Sequence, residues 1–436
     1  MVNLGNYFSL LEEVSLEVFK GYVSEIIGYI IYAQGPRASI GELCYINLGN
    51  RQIPSEVVGF KDKKTLLMPL GNYHGIRPGC EVIATGQCLR VKVGVNLVGR
   101  VLDGLGEPLD NKEKIFGTSY PLENNPPNPL KRQRIMKPLE LGVKALDGLV
   151  TCGLGQRMGI FAGSGVGKST LLGMIARNTK ADINVIALIG ERGREVREFL
   201  ERDLGEVGLK RSVVVVASSD QPALYRIKGA YVATAIAEYF RDQGKSVLLM
   251  MDSVTRFAMA LREIGLAVGE PPATRGYTPS VFATLPRLLE RSGTSDKGSI
   301  TALYTVLVDG DDMNEPIADA VRGILDGHIV LSRKLATLNH YPAIDILNSV
   351  SRVMPDIVSE KQYLDAAKFR KVLAIYHEAK DLIDVGAYVK GSNKQIDLAL
   401  TKIEDFNIFL RQRIDEKFSY VDTEQKLAQL CTDIEI

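Results

Sequence analysis

The stretch GQRMGIFAGSGVGKS, residues 155–169, decides how this chain is read. An apolar run, Arg157–Phe161, predicts a strand. Gly163, Ser164, Gly165, Val166 and Gly167 then form a loop of small residues, and Lys168 and Ser169 open a helical stretch, Thr170–Arg177. Strand, glycine loop, Lys-Ser and helix in that order make the context of a phosphate-binding loop. The glycines let the backbone turn so that successive N–H groups face the β- and γ-phosphates, at the positive end of a helix dipole. Lys168 adds a point charge, and the Ser169 hydroxyl offers a ligand for Mg²⁺. Ala162 stands where the strict pattern has glycine, which a small residue with negative φ tolerates.

The chemistry around such a loop needs further groups. A carboxylate at the end of a neighbouring strand must hold the water shell of Mg²⁺, and the apolar run Ser246–Met251 ends in Asp252. A strand-ending Asp is often only a helix cap, but this one follows the loop by about 80 residues and is read as functional. ATP hydrolysis also needs a group that orients the attacking water. The apolar strand Val185–Gly190 delivers Glu191 at its tip, where α/β sheets bind ligands. A carboxylate there can accept a proton, whereas an amide cannot. Taken alone, the run ERGREVREFLERD (residues 191–203) fits a solvated charge cluster equally well. An arginine must neutralise charge on the γ-phosphoryl group, and composition does not choose among many. Arg352 lies at the far end of the α/β region, so donation by a neighbouring subunit would suit it and would tie activity to a ring.

The chain has 436 residues, 45% hydrophobic and 24% charged, with 53 Lys+Arg against 52 Asp+Glu. That is ordinary globular usage for two or three domains, with no global field to recruit nucleic acid or an acidic membrane. Five cysteines with no CxxC pair argue against a disulfide framework or zinc site and for reduced thiols in a cytoplasmic protein. The apolar runs fall short of a bilayer span, and Glu12, Glu13 and Glu17 precede the first Lys, the wrong charge order for a signal peptide.

The texture changes along the chain. Leu4, Phe8, Leu11, Val14 and Val18 suggest an amphipathic helix over residues 1–20, docked on its own barrel or on another protein. Residues 21–90 carry ten glycines between short runs (Ile26–Ile31, Gly41–Asn47, Glu56–Phe60, Thr65–Met68, Glu81–Ala84), the spacing of a small β-barrel or sandwich. Residues 91–355 alternate apolar β runs with helical stretches and read as an α/β parallel sheet. Within them the proline cluster from Pro121 to Pro138 must be an extended connection. Residues 356–436 hold no proline, and Ile396, Leu400, Ile403, Phe406, Leu410 and Ile414 mark one helical face of a C-terminal helical domain.

Together with the loop, Ala187–Val196 (ALIGERGREV), His340–Asp345 (HYPAID) and the SVSRV that ends at Val353 resemble the rotary ATPase catalytic subunits, and most closely the type III protein-export ATPases of the flagellum-specific kind. Leu97–Gly104, Pro271–Tyr277 and Gly323–His328 look like the same family. The resemblance implies an α/β, recombinase-like P-loop nucleotide domain carrying an N-terminal β-barrel and a C-terminal helical domain. It implies ATP and Mg²⁺, a homohexamer with sites between subunits, and hydrolysis that energises protein export. By motif position, Gly163 to Thr170 would hold phosphate, with Lys168 and Ser169 on phosphate and metal. Glu191 would be the catalytic carboxylate, Arg192 a γ-phosphate contact, and Glu195 and Asp252 the holders of metal-bound water. Arg256 would be a further contact, Arg352 the finger donated in trans, and Tyr341 would stack near adenine unless it is a core tyrosine beside Pro342.

The implied partners are a stator-like regulatory protein at the N-terminal helix, a coiled-coil stalk, export chaperones with their cargo, and an export gate at the inner-membrane face. Two departures from the synthase β subunit stand out. The acidic DELSEED-type segment is absent from residues 356–436, which favours the export branch, and Ser169 replaces Thr while keeping the hydroxyl. Three alternatives remain at this stage. A virulence-type secretion ATPase shares every catalytic motif. A non-catalytic ring subunit would lack Glu191 or Lys168. An RNA translocase would need an aromatic-basic ladder that the barrel does not have.

Overall fold

The computed structural model describes residues 18–308, 310 and 312–434. Of the N-terminal helix expected over residues 1–20, residues 1–17 lie outside the described residues; Val18 and Phe19 are in no helix, and Lys20 already opens the first strand.

Six antiparallel strands close a barrel: β1 (Lys20–Ile27), β2 (Ile30–Gln34), β3 (Glu42–Asn47), β4 (Gln52–Lys61), β5 (Lys64–Pro69) and β6 (Glu81–Cys88), in the order β1-β2-β5-β4-β3-β6. Alternation fills its interior, with Val23, Ile31, Cys44, Ile46, Val57, Leu67 and Val82 packed together. The run Ile26–Ile31 is two strands rather than one. Gly28 takes φ 59°, a left-handed turn that pairs Ile27 with Ile30 in a tight hairpin.

Beyond the barrel come β7 (Arg90–Val93), β8 (Arg100–Asp103) and β9 (Thr118–Pro121), of which β7 and β9 pair as a small ribbon. Pro121, first of the proline cluster, ends β9, and residues 122–138 then run without strand or α-helix, relieved by a single 3₁₀ turn at Pro129–Lys131. Arg132 pins that connection by donating to the carbonyls of Ser292 and Glu290.

The main sheet is ordered β17-β16-β10-β15-β13-β11-β12-β8. Its members are β10 (Arg157–Ala162), β11 (Ile183–Ile189), β12 (Ser212–Ala217), β13 (Ser246–Asp252), β15 (Ser299–Leu307), β16 (Gly327–Leu331) and β17 (Ile344–Ser351), with β14 (Gly293–Thr294) beside β15. All pairings are parallel except β16 with β17 and β14 with β15. The continuous apolar runs follow from burial on both faces. Leu248 and Met250 enter one core, while Val247, Leu249 and Met251 enter the other.

Three helices, Glu360–Asp384, Lys394–Leu410 and Tyr420–Cys431, form the C-terminal bundle. Phe369 stacks on Phe406 with ring centroids 3.8 Å apart, and Phe409 reaches the short helix Lys144–Leu149 at Gly148. Ile414, expected on the face of the second helix, lies beyond its end. The chain turns extended at Arg411, and Gln412 is drawn inward to accept from the Lys144 N–H and donate to the Gly142 carbonyl. Tertiary hydrogen bonds there override the helical period. Among the described residues no helix is long and apolar enough to cross a membrane, and all five cysteines are free.

The helix Ala223–Asp242 carries two buried ion pairs. Its Lys228 holds Glu56 of the barrel at 2.6 Å, and its Glu238 holds Arg291 at 2.6 Å with both side chains sealed from solvent. Arg291 also donates to the Leu122 carbonyl, so it ties the helix to the proline-rich connection. Removing one partner of a buried pair strands the other charge. Arg291→Ala should therefore cost about 3–5 kcal/mol in chemical denaturation; a loss under about 1 kcal/mol would mean that Glu238 finds other partners.

Candidate nucleotide site

At the C-terminal edge of the main sheet, β10 leads through the glycine loop into the helix Lys168–Asn178. Gly165 and Gly167 take φ 77° and 88°, which glycine adopts without a steric penalty. A Cβ on Gly167 would sit 3.4 Å from the Tyr341 ring, so loop and tyrosine are in contact. The helix packs as tightly behind, where a Cβ on Gly173 would lie 2.5 Å from the Asp203 carbonyl.

Two neighbouring strands deliver carboxylates to the loop lysine. β13 ends at Asp252, and Glu191 follows β11 by two residues. The Lys168 ammonium is hydrogen-bonded to Asp252 Oδ1 and lies 3.5 Å from Glu191 Oε1. Thr305 of β15 donates to the same Asp252 oxygen at 2.7 Å. Asp252 is therefore anchored from both sides at a strand tip that is almost sealed from solvent. Burial works to lower the Lys168 pKa, but the Asp252 and Glu191 charges more than offset it and hold the ammonium protonated. Burial, then the Asp252 charge, push Glu191 up to about 7 against the pull of Lys168, and Glu191 also hydrogen-bonds Glu195.

Gly190 explains how a third group enters. It takes φ 72°, and a Cβ there would lie 2.7 Å from the Arg256 Cβ. The arginine chain thus crosses over the backbone next to Glu191. Among the described residues its Nε is buried without a hydrogen-bond partner, and Nη1 reaches the Met259 sulfur at 3.9 Å. A buried guanidinium N–H left spare beside a phosphate loop fits an anionic ligand.

The charged run after Glu191 divides in two. Glu191 is drawn in to Lys168, whereas Arg194–Glu198, Arg197–Glu201 and Arg202–Glu198 form a solvated ladder along the helix Gly193–Glu198 and the π-helical turns Phe199–Leu204. Arg192 is exposed and faces Glu195 at 3.6 Å, outside the Lys168 cluster.

Arg352 is elsewhere. Its N–H donates to the Asp326 carbonyl, and the Asp326 carboxylate accepts from the N–H of Arg157 at the start of β10. The loop begins after Ala162, five residues further along that strand, or roughly 16 Å at about 3.3 Å per residue. Arg352 is exposed at the opposite end of the sheet from its own chain's loop.

The loop opens into a cavity of about 1050 Å³ that Gly165, Gly167, Thr170 and Tyr341 share with the segment 411–418. Phe418 stands in its wall between two ammonium groups, Lys144 at 4.6 Å and Lys426 at 4.1 Å from the ring centroid. Gln412 fixes that wall, its N–H donating to the Tyr341 carbonyl at 3.0 Å. Sequence reasoning missed Phe418 and Gln412, which lie past the end of a helix with no pattern to mark them. It also missed Arg333, which donates to the Ser164 carbonyl of the loop at 3.2 Å.

The oxygen donors present, the Ser169 hydroxyl with the Asp252 and Glu195 carboxylates, suit Mg²⁺, which keeps much of its water and takes few protein ligands. Among the described residues no group of three His, Cys, Asp or Glu could hold a metal alone, so phosphate oxygens and water would complete the shell.

Residues 142–351 match the nucleotide-binding domain of the ATP synthase alpha/beta family, residues 23–86 its beta-barrel domain, and residues 358–429 the T3SS EscN ATPase C-terminal domain. The flagellum-specific ATP synthase of Bacillus subtilis (strain 168) is 61% identical over 401 residues, 91% of each chain. The type 3 secretion system ATPase of Xanthomonas euvesicatoria is 52% identical over 416 residues, 95% of this chain and 94% of its own. The assembled ATPase EscN from the enteropathogenic E. coli (EPEC) type III secretion system superposes with a TM-score of 0.90 at 48% identity, covering 94% of this chain and 100% of that one. EscN solved in complex with its central stalk EscO gives 0.88 over the same shares.

A carboxyl whose folded pKa lies above its unfolded value, near 4.3 for Glu, is favoured in the protonated form. Its contribution is complete below the unfolded value and is lost as pH rises through about 7. Between pH 5 and 8, wild-type protein without nucleotide should therefore lose more unfolding free energy than Glu191→Gln. Parallel stability curves in urea titrations would remove the shift assigned to Glu191.

Proposed function

The chain belongs to the type III protein-export ATPases, a branch of the ATP synthase alpha/beta family, and from that membership we propose how its residues hydrolyse ATP and what the hydrolysis drives. The enzyme is an ATPase of type III export. Its setting is a flagellar export apparatus, in line with 61% identity to the Bacillus subtilis flagellum-specific relative. The observation that carries the chemistry is Lys168 of the glycine loop, held between Asp252 and Glu191.

ATP enters with its phosphates in the loop Gly163–Gly167, its γ-phosphoryl group beside Lys168 and the Arg256 Nε. The Ser169 hydroxyl, with Asp252 and Glu195 through water, would hold Mg²⁺, which would supply neutralisation of phosphate charge. Lys168 then exchanges its carboxylate partners for phosphate oxygens. Glu191 orients the attacking water and takes its proton, and a pKa near 7 suits a base working at neutral pH. Arg192, exposed beside Glu195, contacts the γ-phosphate only after its side chain swings inward. Tyr341 and Phe418 face the cavity as walls for the adenine ring.

Arg352 acts on a neighbour. A side chain spans well under the roughly 16 Å of strand between its level and the loop, so it serves a site in the adjacent protomer. That reading makes the active form a homohexameric ring with its sites at subunit interfaces. The assembled EscN and its complex with the EscO stalk support a ring and a stalk partner here. The remaining partners are a stator-like regulator at the N-terminal segment, chaperones that release cargo on turnover, and an export gate. The protein works in the cytoplasm at the inner-membrane face.

Glu191→Gln should bind ATP nearly as wild type while turnover falls by at least ~10²-fold, the scale of a lost general base; normal hydrolysis by that variant refutes the assignment. Arg352→Ala and Lys168→Ala should each be inactive, with Arg352→Ala down by on the order of 10³. Mixing the two should restore part of the activity through interfaces that pair an intact loop with an intact arginine. Mixed rings that form but stay silent would exclude donation in trans. Phe418→Ala should raise KM for ATP by roughly tenfold, about the 1–3 kcal/mol of one base–aromatic stack, with kcat little changed. A change confined to kcat would take Phe418 out of the base pocket.

A further inference from the structure

Thr305 is fully buried on β15, the strand between β10 and β13. Leu303, two residues earlier on the same face, shares a core with Ile160 of β10 and with Leu248 and Met250 of β13. The register pairs Ile160 with Thr305 on one side and Met251 with Tyr304 on the other, so Thr305 comes level with Asp252 where β13 ends. A β-branched residue suits a strand, but a hydroxyl sealed among apolar side chains is costly unless it is hydrogen-bonded.

Two acceptors lie within reach of that hydroxyl, the Met251 carbonyl at 3.2 Å and Asp252 Oδ1 at 2.7 Å. It has one proton, and the shorter contact, to a charged oxygen, is the stronger. The Lys168 ammonium bonds the same Oδ1. Both donors therefore sit on one oxygen of the carboxylate, which leaves Oδ2 to other partners. The two donors differ in what happens to them. Lys168 ends a long flexible stem and exchanges Asp252 for phosphate oxygens once nucleotide enters the loop. Thr305 stays, because its strand is hydrogen-bonded on both sides. After the exchange it is the donor that still holds Oδ1.

We propose that Thr305 is a positioning residue for the metal-holding carboxylate: by keeping Oδ1 tethered after Lys168 has left, it fixes the rotation of Asp252 and keeps Oδ2 available to a Mg²⁺-bound water. That role rests on the nucleotide reading above and adds the residue that aims one of its groups. Hydrogen-bond partners of groups that hold a metal typically change its affinity by about 10- to 100-fold when removed. Asp252 acts through water, so the lower end of that range applies.

The experiment measures equilibrium binding of a fluorescent, non-hydrolysable ATP analogue to the full-length chain, first in EDTA and then across a Mg²⁺ titration. Wild type is compared with Thr305→Val, Thr305→Ala and Thr305→Ser. Valine keeps the shape and drops the hydroxyl, alanine drops it without setting a methyl against the carboxylate, and serine keeps it. In EDTA all four should bind the analogue within about twofold of one another, since the hydroxyl acts through the metal-holding group. The Mg²⁺ concentration at the midpoint of the titration should rise about fivefold to tenfold in Thr305→Val and Thr305→Ala, and Thr305→Ser should return within about twofold of wild type. Equal midpoints in all four chains overturn the role. So does a loss of equal size in EDTA and in Mg²⁺, which would leave the hydroxyl serving only the packing of the sheet. A wild-type chain that binds no analogue in either condition refutes the nucleotide reading and this role together, whereas binding with unshifted midpoints removes Thr305 alone.

Discussion

One ammonium group sets the terms for the rest of the molecule. Lys168 follows a loop that only glycine-rich sequence can shape, and it meets two carboxylates delivered by separate parallel strands. For that meeting to occur, β10, β11 and β13 must lie in register within one sheet, with β15 between β10 and β13 to supply Thr305. Burying three charges is costly unless they compensate one another, and here they do, which leaves Glu191 with a raised proton affinity. The continuous hydrophobic strands, the two cores and the crowded glycines at 173 and 190 all serve to hold these three groups at one edge.

The same sheet explains why the site looks incomplete within one chain. The glycine loop, Glu191 and Asp252 gather at the C-terminal ends of the strands, whereas Arg352 follows an antiparallel edge strand and so emerges at the other end. An antiparallel β17 is what sends that arginine away from its own chain's loop.

Much of this was legible in the amino-acid order because it rests on local rules. A loop with Lys-Ser after an apolar run, a strand closing on Asp252, and short strands split by turn glycines are all decided within a few residues. What depends on distant pairing was not visible. Nothing local distinguishes Glu191, drawn in to Lys168, from Arg194 and Glu198 a few residues later, which remain in water. Nothing announces that the helix ending at Leu410 stops because Gln412 has better partners at Gly142 and Lys144, or that Phe418 lies between two lysines. The split of Ile26–Ile31 into two strands did have a local signal in Gly28, which only a barrel's need for tight hairpins turns into a break.

The helix Ala223–Asp242 lies against the main sheet and is tied by Lys228 to Glu56 of the barrel and by Glu238 to Arg291. Because Lys228 and Glu56 are out of water, sliding the barrel past this helix would orphan both charges, so the pair couples the barrel to the nucleotide domain. The C-terminal bundle, by contrast, is tied to the nucleotide domain by hydrogen bonds to backbone groups, from Gln412 to Gly142, Gln362 to Asp147 and Arg370 to Leu149, and by Phe409 packed on Gly148, contacts that can yield without breaking a charge pair.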